Sequence, residues 1–448
     1  MDGAKTPGQV TEALARFALG RSILPDEMAA RVALSLFDWV AVGQAGLSEP
    51  VARLVREMAL SDGGVPAASV MGGGHLPARA AALVNGTVSH ALDYDDTHFL
   101  HIGHPSVAVA PAALAVGEAE SASGAEFLGA LAIGLETACR VGDWLGRDHY
   151  RAGFHQTGTA GAFGAAAAAG RLMGLDELQM RHAFGLVATR AAGLKNQFGT
   201  MGKPLNAGFA AEVGVVCADL ARRGAISTGD ALEGSAGFGA THAGMARSEA
   251  LAGLGRDWVF QDINWKFHAC CHGTHAALEA LIRLRDAHDL DPRGIGRIRI
   301  ATHPLWLDVC DKPAPETGLE AKFSYRFTAA MALLRIDTGD LTSFDDRLCQ
   351  RPDLRALAQR VEVVGDASLS DTAAHVVVET AQSGDLRNGC DLTERLALPD
   401  AERRLRKKAA SLIGADRTEA LWQHVGGVGT ARTLAALTQH IREPAVTS

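Results

Sequence analysis

Up to about residue 265 the chain is a succession of Ala-rich helical patterns. Residues 79–92, 106–120, 125–142, 158–173, 178–194 and 206–223 are rich in alanine and carry glycine at or near many of their ends. Leu24-Pro25-Asp26-Glu27 opens another, with proline and acids in its first turn, and Val32, Leu36 and Val40 then repeat at a four-residue spacing. Small residues let helix backbones approach closely, so the region from Thr6 onward is expected to be all-helical. After Trp265 the pattern changes. A helix is expected over 274–288, with Leu278, Leu281 and Ile282 on one face, and Arg297-Ile298-Arg299-Ile300-Ala301-Thr302 alternates with period two. Residues 361–364 and 375–379 read as two more strands, 322–334 as helix, and the chain from Pro399 on as helix again. The expected fold is therefore mainly α: a large all-helical domain, residues 1–265 and 397–448, plus a smaller α+β lid domain, residues 266–396.

With 448 residues, 47% of them hydrophobic and 21% charged, the chain can bury a large core and is expected to be an ordinary globular protein. A net charge of -8 and the lack of any basic run argue against nucleic acid as a partner. The first residues lack a basic stretch followed by an apolar one, so secretion is not expected. The longest apolar stretches, 106–117 and 158–170, are too short for a bilayer core of about 30 Å, so no membrane association is expected. Seven cysteines without framework spacing point to a reducing, cytoplasmic setting.

Chemistry is densest in residues 90–106, His-Ala-Leu-Asp-Tyr-Asp-Asp-Thr-His-Phe-Leu-His-Ile-Gly-His-Pro-Ser. Imidazoles titrate near neutral pH and nearby carboxylates fix their tautomers, so the segment reads first as proton-transfer machinery. A divalent metal site built from Asp93, Asp95, Asp96, His98, His101 and His104 is the second reading, and a His-rich polar loop the third. Neither H-E-x-x-H nor a calcium loop fits, because the sixth and twelfth places counted from Asp93 hold His98 and His104.

Four further motifs carry ionisable groups. His155 stands just ahead of Gln-Thr-Gly-Thr-Ala-Gly, a helix start whose free N–H groups attract anions. Lys203 lies between glycine and proline, where a turn would hold it either in solvent or at a pocket facing a carboxylate. The junction Asn264-Trp-Lys-Phe-His-Ala-Cys-Cys-His-Gly-Thr-His275 gathers Lys266, His268, Cys270, Cys271, His272 and His275, and its adjacent cysteines suit tetrahedral zinc poorly. Tyr325, one of only three tyrosines, is either a hydroxyl donor or a buried structural residue.

In this order and spacing the motifs resemble those of the MmgE/PrpD family over nearly the whole chain. The resemblance rests on His90-Ala-x-Asp93-x-Asp95-Asp96-Thr97 with His104-Pro-Ser, Gly153-Phe-His155-x-Thr-Gly-Thr, Gly199-Thr-Met-x-Lys203-Pro, Lys266 with Cys271 and His275, and Lys322-Phe-Ser. It implies chemistry on small polycarboxylates with no cofactor or metal, in a pocket between helical domain and lid, by a homodimer. The implied catalytic groups are His104, His155, Asp93, Lys203 and Lys266, with Thr97, Cys271, His275 and Tyr325 as substrate-binding groups. Cys271 stands where the decarboxylase branch carries a histidine, which counts against decarboxylation. The resulting expectation is an epimerase of iminodisuccinate type, working by proton abstraction and return at the carbon α to a carboxylate. A hydro-lyase acting on 2-methylcitrate is the alternative, and a metal-dependent hydrolase a third possibility.

Overall fold

The computed structural model describes residues 9–20 and 24–443. The first eight residues lie outside them, and with them the expected helical start at Thr6 and the opening residues of the stretch read against secretion. The protein is mainly α. It divides into two compact units, one holding the chain up to Trp265 and from Ala397 on, the other Lys266–Leu396.

The small residues of the first unit act where helices cross. Gly124–Arg151 lies against Gln156–Leu172 at Gly134 and Gly164, and a Cβ on Gly164 would come within 2.5 Å of the Gly134 carbonyl oxygen. Ala78–Ser89 crosses Gly202–Arg222 at Gly86 and Gly208, where a Cβ on Gly86 would stand 2.9 Å from the Gly208 Cα. Only glycine permits either approach. The second crossing lies one turn before His90 and little more than one turn after Lys203, so it brings two helix ends with ionisable groups together. Ser106–Ala119 is buried almost all round, which accounts for its lack of any polar face.

Gly202–Arg222 is long and apolar enough, by length and composition, to cross a membrane, and 67% of its apolar window is buried. It packs on Ala78–Ser89 and Gln156–Leu172, so its apolarity is that of a core helix. It begins earlier than its periodicity predicts, which puts Lys203 in its first turn and not in a turn ahead of it.

Residues 223–265 depart from the all-helical expectation. They hold only short elements such as Phe238–Thr241, Ser248–Leu251 and Val259–Asp262. Turn hydrogen bonds satisfy much of their backbone, and a buried ion pair holds several of the remaining groups. Arg140 donates to the carbonyls of Ala250 and Ala252, at 2.9 and 2.6 Å, and pairs with Glu136 at 2.6 Å. Glu136 in turn accepts from the amides of Val259 and Phe260. A two-residue ladder, Ala68–Ser69 with His75–Leu76, is another exception.

After Ala397 the helices Leu398–Ile413, Ala415–Val428 and Ala435–Arg442 complete the first unit, and Leu398–Ile413 packs on Asp26–Gly46. From it, buried Lys408 reaches Asp38 Oδ1 at 2.6 Å and donates to the Tyr94 carbonyl at 2.6 Å.

The second unit is built on a four-stranded sheet in the order Val361–Gly365, Ile295–Thr302, Ala373–Thr380, Gly384–Asp391. The first pair is parallel and the others antiparallel. Ile298 lies opposite Val361 and Val378, and Ile300 opposite Val363 and Val376, so the apolar set of each strand falls on one face. Leu281 and Leu284 of the helix His275–His288 join Ile298, Ile300, Val376 and Val378 in the core of this unit. Gly384–Asp391 is a strand the sequence does not announce. It is half-exposed at the sheet edge, where backbone pairing to Ala373–Thr380 suffices and an apolar run is unnecessary. The helix expected over 322–334 is shorter, Tyr325–Leu333, because Ser324 caps it by accepting from the Phe327 amide.

Candidate active site

Between Ala78–Ser89 and Ser106–Ala119 the chain runs through residues 90–105 without regular structure. Asp93 takes a left-handed conformation, φ 51°, which aspartate tolerates better than most residues and which sets the directions of the side chains around it.

Asp95 is buried and shared by two imidazoles. Its Oδ1 is 2.9 Å from His90 Nδ1 and its Oδ2 is 2.8 Å from His104 Nδ1. Burial alone would raise its pKa, but the charges of His90 and His104 and their hydrogen bonds outweigh that and hold the carboxyl well below the usual range. The far side of the His104 ring meets a second carboxylate, with Nε2 3.4 Å from Asp93 Oδ1. Asp93 Oδ2 is 2.6 Å from Lys203 Nζ. The result is one alternating chain of charge: Lys203, Asp93, His104, Asp95, His90. The Asp93 side chain is 43% exposed while His104 and Asp95 are nearly closed off, so the chain opens to solvent at Asp93.

His155 joins this cluster from the N-terminus of Gln156–Leu172, where it is the last residue before the helix. Its ring centre lies 6.0 Å from that of His90 and 6.5 Å from that of His104, with the Phe198 ring edge-on at 5.0 Å. Burial, followed by the positive charges of His90, Lys203 and His104, pushes its pKa well down, so the ring is neutral at ordinary pH. Asn206, one turn after Lys203, places its amide nitrogen 3.1 Å from His155 Nδ1.

Ligand atoms of His90, Asp93, Asp95 and His104 all lie within 4.8 Å of one another, close enough to surround a divalent ion. The donor set argues for protons instead. Asp95 Oδ1 is hydrogen-bonded to His90 Nδ1 at 2.9 Å, which places a hydrogen between those two atoms. The Lys203 ammonium already supplies the positive charge that Asp93 needs.

The remaining candidates of this segment have other partners. Thr97 pairs with Asn264, its amide donating to the Asn264 carbonyl at 2.7 Å. His98 places Nε2 2.8 Å from the Val259 carbonyl, and His101 places Nδ1 3.0 Å from the Ala138 carbonyl. Burial lowers both rings, His101 to about 3, so they are neutral struts of the loop. Asp96 accepts from the Ser106 hydroxyl at 2.6 Å, and burial raises its carboxyl to about 7.

The other implied residues belong to the second unit. Lys266 and His275 are buried there. Burial, then His272, His268 and Lys266, push the His275 ring well down, and its Nε2 lies 3.2 Å from the Cys270 carbonyl. Cys271 donates its amide to the Lys322 carbonyl at 2.9 Å, and hydrogen bonding from its thiol, with burial, pushes the Cys310 thiol well up. Tyr325 is buried, donates its hydroxyl to the Gly273 carbonyl at 2.6 Å and lies 3.1 Å from the Thr302 hydroxyl.

The model of the MmgE/PrpD N-terminal domain matches residues 12–250, and that of the C-terminal domain matches residues 268–416. The chain belongs to the MmgE/PrpD family. Relatives within the family include the cis-aconitate decarboxylase of Homo sapiens, 27% identical over 393 residues that cover 82% of this chain and 80% of the relative. The cis-aconitate decarboxylase of Aspergillus terreus is 28% identical over 367 residues, 75% of this chain and 74% of the relative. A cis-aconitate decarboxylase-like protein of Aspergillus oryzae is 34% identical over 224 residues, 46% of each chain. These MmgE/PrpD relatives bear the names of lyases, where the sequence motifs alone led to an epimerase.

Sequence reasoning gives His90 and Asp95 no role among the implied catalytic and substrate-binding groups, and does not name Asn206. The density of imidazoles and carboxylates in 90–106 was the available signal for the first two. A neutral amide in an apolar helix offered none for the third.

Proposed function

We propose that this chain is a lyase acting on a small polycarboxylate, moving a proton at the carbon beside a carboxylate without metal or organic cofactor. The alternating chain Lys203–Asp93–His104–Asp95–His90 carries the reading. A carbon acid next to a carboxylate is very weak, and its intermediate concentrates negative charge, so cations and strong donors must face it. Lys203 offers the cation. His104 offers the exchangeable proton, because a proton on its ring is stabilised by a carboxylate at each nitrogen. The names of the decarboxylase relatives support the lyase class over the epimerase. Lys266 is proposed as a carboxylate clamp on the resemblance alone. All seven cysteines are free, which supports a cytoplasmic setting, and a homodimer is proposed from the family.

The epimerase stays as a second reading because of one distance. The rings of His104 and His155 are 6.5 Å apart, a separation suited to an acid and a base on opposite faces of one carbon. Incubation with cis-aconitate and with 2-methylcitrate tests the lyase reading by carbon dioxide release or alkene absorbance. Silence on both, with deuterium entering iminodisuccinate from heavy water, would replace it by the epimerase.

A further inference from the structure

The contact between Asn206 and His155 separates the roles of the two imidazoles. The Asn206 amide nitrogen lies 3.1 Å from His155 Nδ1 and 3.4 Å from the Leu194 carbonyl oxygen. A carbonyl oxygen only accepts, so the amide presents its NH2 group on this side, with one hydrogen for each neighbour. Nδ1 of His155 is then an acceptor, and the hydrogen of the neutral ring sits on Nε2. The arrangement is rigid. Asn206 is buried on a core helix, and the His155 amide is anchored on the Gly193 carbonyl at 3.0 Å.

His104 has the opposite environment. Its Nδ1 faces a carboxylate, which accepts, where Nδ1 of His155 faces an amide, which donates. One ring is therefore built to hold an extra proton and the other to stay neutral and donate.

We infer that Asn206 is a positioning residue that locks His155 in its Nε2–H tautomer, so that His155 enters the reaction as a neutral hydrogen-bond donor to the developing anion while His104 carries the exchangeable proton. A neutral imidazole donor facing a carboxylate-stabilised intermediate adds no charge that would have to be neutralised when the substrate leaves. The lowered pKa of His155 agrees with this assignment. The inference rests on the proposed lyase site for its second half, and on geometry alone for the first.

The test uses the full chain labelled with 15N-histidine, with His155 assigned by comparison with His155→Ala. The ring nitrogens are followed by two-bond proton–nitrogen correlation from pH 8 to 5.5, with no substrate present. The expected result is a neutral ring with its hydrogen on Nε2 throughout. Asn206→Asp replaces the donor by an acceptor and should move hydrogen onto Nδ1. It should also lower kcat by at least about tenfold with little change in KM and add a new limb to the pH profile. Asn206→Ala should leave the tautomer mixed and the loss in kcat smaller. A native ring protonated on Nδ1, or an Asn206→Asp ring that keeps the native tautomer, overturns the inference whatever the enzyme's substrate. An altered tautomer with unchanged kcat overturns the role given to His155. Failure of the lyase reading is separate, since it would show as absence of turnover with the native tautomer intact.

Discussion

Lys203 Nζ lies 2.6 Å from Asp93 Oδ2, tying the first turn of Gly202–Arg222 to the loop that follows Ala78–Ser89. The other oxygen of the same carboxylate faces His104, so the lysine sits one residue away from the exchangeable proton. Lys203→Ala should therefore lower kcat/KM by about 100-fold or more while the fold persists. Steady-state kinetics with circular dichroism checks this, and a variant with full turnover would remove Lys203 from the site.

Asp95→Asn removes the charge that two imidazoles share. Breaking a buried pair of this kind costs about 3–5 kcal/mol at pH 7. The sign follows from the carboxyl's lowered pKa in the folded protein. Its stabilisation is complete above the unfolded value of 3.8 and fades as pH falls through the lower native value. Denaturant midpoints of native and variant should thus differ widely at pH 7 and draw together in strong acid.

Asp96 works in the other direction. Burial raises its carboxyl to about 7, so the folded state holds a proton that the unfolded chain loses above 3.8, and stability falls as pH rises between those values. Asp96→Asn keeps an acceptor for the Ser106 hydroxyl and removes that penalty. Its stability relative to the native chain should rise from pH 4 to pH 7 by on the order of a few kcal/mol and then level off. Urea unfolding across this range reads the difference, and a pH-independent difference would contradict the assignment.

Lys408→Met should destabilise the fold and loosen the loop between Asp93 and Asp95 that Lys408 anchors. It leaves Asp38 buried without its partner and the Tyr94 carbonyl without its donor, at about 3–5 kcal/mol. Adding Asp38→Leu should recover part of the loss, because both charges are then gone. A double variant no more stable than the single one would show that the pair does not act as a unit.

Much of this architecture was legible in residue patterns, for reasons that differ by element. The small-residue helices and the alternation at 297–302 are visible because burial imposes period on sequence. Gly384–Asp391 escaped because an edge strand is specified by its partner's backbone. In the candidate site, Asp93, His104, His155 and Lys203 stand in three separate motifs, and their convergence depends on a glycine crossing at Gly86 and Gly208. His98, His101 and His104 look alike in the sequence. Only the fold turns two of them onto backbone carbonyls and the third onto two carboxylates. The positive φ of Asp93, which aims that carboxylate, has no residue signature of its own.

The Lys203–Asp93–His104–Asp95 chain is proposed to carry lyase chemistry on a small polycarboxylate. The most direct measurement offers cis-aconitate and 2-methylcitrate to the pure protein, with and without EDTA, beside His104→Ala. Turnover of at least one of them is expected, unchanged by EDTA and abolished by His104→Ala. Turnover of neither, or turnover lost to the chelator and restored by a divalent metal, would contradict it.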